Sequence, residues 1–193
     1  GIEIYRPFLI RSGQQEGLSF VNSSLVKDLN FSAGGFQAKY GDKLSSVLDI
    51  EYRTPIDNRA SLEMSLLGLS ATVEGVSKNN KWSALAGFRY RNNSLLVNSQ
   101  ETESNFKPAF ADLQLLLTYS ANRQWSYHFL GNASINSYNY QPKTRQTNFG
   151  TIDQPIALRV VYEGQEKDRY QTLNTAFTAH YKPSAQLHFS FIG

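Results

Sequence analysis

The sequence predicts a mainly β chain: antiparallel strands of a transmembrane barrel, preceded by part of a small α/β unit. Three observations predict it. From Ser46 onward, apolar and polar residues alternate with period two. Aromatic residues make up 13% of the 193 residues and charged ones only 18%. No run approaches the roughly 18 apolar residues of a membrane-spanning helix. Any residence in a membrane therefore falls to strands, which look only half hydrophobic, in keeping with a mean hydropathy of −0.42.

Composition narrows the function classes. There is no cysteine, so disulfides and thiolate metal sites are excluded. The net charge is +3 and the basic residues are scattered. Nucleic-acid surfaces carry a basic patch or stripe, so no nucleic-acid partner is expected. "GIEIYRPFLIR" has no basic start, apolar core or small-residue cleavage site. It reads like the middle of a domain, and "LHFSFIG" ends within a strand pattern, so a piece of a longer chain is expected at both ends.

Residues 1–45 form the first expected unit. Short apolar pieces, Ile2, Ile4, Phe8 to Ile10 and Val26 to Phe31, are split by Gly, Pro, Ser and Asn. Asn22 or Ser23 caps a brief helical turn before Leu25, and "LVKDLNF" reads as a short strand. Residues 46–193 form the second unit, with about eight strands expected at 47–54, 60–74, 82–91, 110–120, 125–136, 156–163, 170–181 and 186–192. The alternation is clearest at 110–120. There Ala111, Leu113, Leu115, Leu117 and Tyr119 share one face, and Asp112, Gln114, Thr118 and Ser120 the other, with Leu116 the apolar exception. Several segments have about the 9–11 residues that a tilted strand needs to cross a bilayer.

The connections are unequal. Residues 77–80, 121–124 and 182–185 are short turns, whereas 92–109 and 137–155 are long and polar. Bacterial barrels combine short periplasmic turns with long extracellular loops. The segment 156–163 breaks the strand parity. It is expected either to extend the preceding strand or to form a hairpin within one long excursion. Trp82, Tyr119, Trp125 and Tyr181 lie on the apolar faces beside the short turns. Such residues favour the bilayer–water boundary, where both the ring and its polar tip are satisfied. A soluble sandwich also alternates, but gives no reason to align aromatics along one rim.

An eight-stranded barrel is filled by its own side chains and leaves no room for the preceding unit, whereas barrels of about 22 strands hold a plug. At this point "GGFQAKYGDKLSSVLDIEYR" becomes informative. Gly34, Gly35, Tyr40, Gly41, Ser46, Val47 and Ile50 resemble the end of the plug and the first barrel strand of TonB-dependent outer-membrane receptors, in a form most like those of the Bacteroidota. "GIEIYRPFLIRSGQQEGLSFVN" is similar to the second half of such a plug, and residues 163–191 resemble later strand–turn–strand units. The resemblance is specific at 34–50 and generic elsewhere.

The resemblance implies a chain holding the C-terminal part of the plug and the first strands of a ~22-stranded barrel. It implies residence in the bacterial outer membrane, among its lipids, and import of a nutrient by plug remodelling. Coupling to TonB would pass through an N-terminal segment outside this sequence. A surface lipoprotein or other outer-membrane subunits are the further partners implied. The rival expectation is a scaffold subunit of an outer-membrane complex with no transport role. A soluble carbohydrate-binding sandwich is the third.

No cofactor, metal or catalysis is expected. Gly34–Gly35 lacks a following phosphate-binding pattern and reads as a bend. His128, His180 and His188 fall on polar strand faces. The last two flank a turn, yet no carboxylate or thiol sits at ligand spacing. Asp49, Glu51 and Arg53 alternate on one face with no nucleophile nearby. Arg89 and Arg91 are candidates to pair with plug carboxylates, and Lys27, Asp28, Asp42 and Lys43 to pair with the wall. The plug is expected to be held by polar contacts. "SLLVNSQETESNFKP" and "NYQPKTRQTNFGTID" are candidate ligand-facing loops.

Overall fold

The computed structural model describes residues 2–4, 19–35, 37–41, 45–92, 104–106, 109–142, 144–151, 155–161, 164 and 166–193. Asn22 opens the ordered N-terminal unit. Its side chain accepts from Ser24 N and caps a single 3₁₀ turn, Ser23–Leu25. The chain leaves this turn as β1 (Val26–Ser32) and returns as β2 (Val47–Tyr52), the two pairing antiparallel from Ser32–Val47 to Val26–Tyr52.

The second sheet has eight strands: β3 (Arg59–Ser65), β4 (Gly68–Val76), β5 (Trp82–Asn92), β6 (Ser104–Phe106), β7 (Ala109–Ser120), β8 (Trp125–Pro142), β11 (Glu166–Tyr181) and β12 (Phe189–Ile192). Its order is β3-β4-β5-β7-β8-β11-β12, with β6 on β8. Each neighbour in this order is the next strand in the chain, apart from β6 and one separate hairpin. That hairpin, β9 (Arg145–Gly150) with β10 (Pro155–Val160), stands between β8 and β11. The chain is mainly β and antiparallel, as the alternation predicts. Among the described residues the sheet does not close, and β3 and β12 are its edges.

Two expected elements differ from those observed, and a third takes one of its two expected forms. The strand 47–54 was expected as the first stave of the wall. Instead β2 pairs with β1, and the large sheet starts at Arg59. Alternation marks a strand but not its partner, and β1 offers seven residues to pair with. The segment 60–74 is two strands, not one, folded at Leu66–Leu67. The turn is fixed by Ser65, whose Oγ accepts from Leu67 N and donates to Gly68 O, both at 3.3 Å. The segment 156–163 takes the hairpin alternative, as β10.

The short turns lie together. Ser120 N donates to Lys81 O and Lys182 N to Gln124 O, both at 2.8 Å, so each turn is tied to its neighbour along one rim. The long connections leave from the opposite rim.

Candidate functional site

Pleating sends successive side chains to opposite faces, and here the polar face is the buried one. Gln114, Asn132 and Asp112 are almost wholly buried, and Ser134, Asn136 and Thr178 are buried with them. On the other face Leu62, Val73, Leu113, Leu173 and Phe191 are each more than half exposed. The N-terminal unit lies against this polar face at Gly87, Arg89 and Gln114.

Three registered rows receive it. The lowest is apolar: Leu85, Leu116, Leu130 and Ala176 sit opposite one another across β5, β7, β8 and β11. Phe20 packs onto this row against Leu130, Ala176 and Leu116, with Ile4 and Tyr52 beside it. Next come Gly87, Gln114, Asn132 and Asn174, and then Arg89, Asp112, Ser134 and Thr172. Gly87 leaves space that Asn22 and Leu25 fill. A Cβ there would stand 2.7 Å from Asn22 Nδ2 and 2.9 Å from Leu25 Cδ1.

The polar rows hold the N-terminal segment by its main chain. Arg89 Nε and Nη2 donate to Asp112 at 2.7 and 2.9 Å. The same guanidinium donates from Nη1 to Val21 O at 2.9 Å and from Nη2 to Ser19 O at 3.0 Å. Gln114 Nε2 donates to Phe20 O, and Tyr52 Oη donates to Gln114 Oε1 at 3.2 Å. Three consecutive carbonyls are thus bound by two side chains of the large sheet. Burial pushes the Tyr52 phenol up to about 12, with the Asp112 charge adding to the rise against the opposing pull of Arg89.

Arg53 makes a second link. Its N–H donates to Leu25 O at 2.9 Å and its Nη2 to Ser24 O at 2.6 Å. Its Nη1 lies 3.7 Å from the buried Glu74 carboxylate, which Arg59 approaches at 3.5 Å from the other side. These groups line a cavity of about 270 Å³ between the N-terminal unit and β3–β4.

The exposed face has an aromatic border beside the short turns. Trp82 stacks on Tyr119 with ring centroids 4.3 Å apart, and Trp125 on Tyr181 at 4.4 Å. Tyr127 stands between the pairs, 6.2 Å from Tyr119 and 6.0 Å from Trp125, and Phe189 continues the series 6.2 Å beyond Tyr181. Hydrophobic side chains occupy the face from this border to Tyr90.

Comparison of the chain with protein-family models, with curated proteins and with solved structures returned no match.

The site residues expected from sequence divide as follows. Trp82, Tyr119, Trp125 and Tyr181 come together in one stacked border. Gly34 and Gly35 have φ of +83° and +61°, the left-handed region open to glycine. They bend the chain as it leaves β1 for the connection to β2. Tyr40 Oη donates to Asp49, fastening that connection to β2, while Lys39 lies 3.8 Å from the same carboxylate. Gly41 lies in that connection, Ser46 ends it, Val47 opens β2 and Ile50 pairs with Leu29. Lys27 pairs with Glu51 of the adjacent strand at 2.6 Å, and the Asp28 carboxylate accepts from Leu29 N and Asn30 Nδ2. Asp42, Lys43 and most of the loop 92–109 lie outside the described residues.

Arg89 departs from its expected partner. It pairs with Asp112 of the same sheet and with N-terminal carbonyls rather than with carboxylates of the N-terminal unit. The histidines do cluster. His188 Nε2 and His180 Nδ1 are 3.1 Å apart, and His128 Nδ1 meets Thr118 Oγ1 at 3.1 Å. Among the described residues no three histidine, cysteine or carboxylate side chains converge as a metal cage. Sequence reasoning missed Gln114, Asp112 and Gly87 as holding residues. Their only signal was membership of the polar face.

Proposed function

We propose that this chain is part of a plugged outer-membrane barrel of the TonB-dependent receptor kind. In this reading the N-terminal unit belongs to the plug, and β3, β4, β5, β7, β8, β11 and β12 are neighbouring staves of a wall of about 22 strands. The observation that carries it is the inverted sheet. A soluble sheet turns its apolar face inward, because burial is worth about 25 cal/mol per Å². Here the apolar face is open and the amides are buried. In a bilayer that arrangement is the favourable one, with lipid outside and plug and water inside.

Dimensions support the reading. From Trp82 to Tyr90 the apolar face runs nine residues along β5, about 27 Å of strand. At a tilt of 35–45° that is about 20 Å of height, close to the apolar band of such barrels. The two open edges are then completed by further staves, and β9–β10 projects from the extracellular rim.

The mechanism follows from how the N-terminal segment is held. Carbonyl bonds to Arg89, Gln114 and Arg53 let go one by one under a pull, with water replacing each. Phe20 and Leu25 are the buried apolar side chains that must leave their seats. A nutrient bound outside would pass once this segment moves.

The test uses the full-length receptor in cells, with Ser24→Cys placed under the wall. Thiol labelling at position 24 should rise in energised cells supplied with the nutrient, and fall with a protonophore. Labelling that ignores energy identifies a static scaffold instead. Recovery in the soluble fraction contradicts the barrel itself.

A further inference from the structure

The exposed face of the large sheet is not uniform. Phe88, Leu113, Ala133 and Leu173 form one registered row, and Tyr90, Ala111, Ile135 and Gln171 the next. Ala111 and Ala133 are short where their neighbours are long. The result is a groove of about 480 Å³ floored by these alanines and walled by Phe88, Leu113, Ile135 and Leu173.

On the side away from the short turns, Gln171 ends the groove. Period two then places Arg169 and Lys167 on the same face of β11, and both are exposed. Their partners across β8 are the neutral Ser137 and Asn139. Asp168 falls on the opposite face. Two cations therefore stand side by side immediately beyond an apolar groove. Arg169 lies four residues from Leu173, about 13 Å along the strand.

We propose that the groove and Arg169–Lys167 hold one phosphorylated lipid of the surrounding bilayer. An acyl chain lies over Ala111 and Ala133, packing against the four walls. The phosphate accepts from the Arg169 guanidinium, whose planar fork matches it, with Lys167 adding a second charge. This inference rests on the membrane reading, because only lipid reaches that face in a barrel.

The test is reconstitution of the full-length protein into phosphatidylcholine vesicles doped with phosphatidic acid, reading protein-bound lipid by native mass spectrometry. The wild type should retain phosphatidic acid in preference to phosphatidylcholine. Arg169→Gln with Lys167→Gln should lower that preference about tenfold, the scale of a lost charge-assisted contact. Arg169→Lys should keep part of it. Ala133→Phe, which fills the groove, should displace the lipid while leaving both charges. Equal retention of the two lipids by inserted wild type overturns the site and leaves the barrel standing, as does a preference unchanged in the charge variant. Failure to insert into vesicles overturns both.

Discussion

Arg89 and Asp112 face each other across β5 and β7 and share two hydrogen bonds, at 2.7 and 2.9 Å, with the carboxylate fully buried. The remaining donors of the same guanidinium hold Val21 and Ser19. One side chain is thus both a cross-strand tie and the clamp on the N-terminal segment. Asp112 fixes the fork so that it points at the carbonyls.

Removing one partner of a buried pair strands the other's charge. Arg89→Ala should cost about 3–5 kcal/mol of unfolding free energy in denaturant titration. Replacing both, Arg89→Met with Asp112→Leu, should leave the sheet near its original stability, since a buried pair exchanged for apolar groups is often neutral. The double variant should still expose residues 19–21 to protease, because their carbonyls have lost a donor. Protection equal to wild type would show that the guanidinium is not the clamp.

Gly87 has a narrower role. Adding side-chain volume there drives into Asn22 and Leu25. Gly87→Val should loosen the N-terminal unit without disturbing the sheet, since valine suits a strand. Faster proteolysis around residues 20–25 with an unchanged strand signal in circular dichroism is the expected pair of results. Loss of both together would place the glycine in the folding of the large sheet itself.

Tyr52 provides a pH test. Its folded value of about 12 lies above the ordinary 10.0 because burial disfavours the phenolate. The fold therefore favours the protonated form. The stability this adds is whole below pH 10 and is lost as pH climbs from 10 toward 12. A phenolate titration by ultraviolet absorbance should show one late-ionising tyrosine, absent in Tyr52→Phe. The variant should also lose less stability than wild type over that window.

The apolar face supplies an energetic test. Leu115→Arg should cost about 2–4 kcal/mol if the position lies near mid-bilayer, and Phe129→Arg likewise. A near-neutral effect at both would mark a water-facing surface.

Much of the fold was legible because period two survives in a sheet with one apolar face. The strands β5 and β7 follow directly from it, whereas β8 runs on to Pro142 through a segment expected as loop and β11 starts already at Glu166. What alternation lacks is the partner. Nothing in "VLDIEY" says that it pairs with "VKDLNFS" and not with the next strand. The β3–β4 hairpin was hidden because its turn residues, Leu66 and Leu67, are apolar and continue the strand composition. Leu116 illustrates the same limit in the site. It broke the polar face of its strand, and only register reveals it as one of four apolar residues aligned under Phe20. The stacked border was legible because its members sit at strand ends, where the turns already fix their level.

The central claim is that the open apolar face meets lipid and the polar face meets the N-terminal unit. The chain has no cysteine, so single cysteines can be placed at Leu113, Gln114, Leu115, Leu116 and Leu117 of the full-length protein in native membranes. The most direct measurement is their labelling by a water-soluble thiol reagent, set against quenching of an attached fluorophore by brominated lipid. Positions 113, 115 and 117 should resist the aqueous reagent and be quenched by lipid, while 114 and 116 show no lipid contact. Ready aqueous labelling at 113, 115 and 117, with no quenching, would contradict the account.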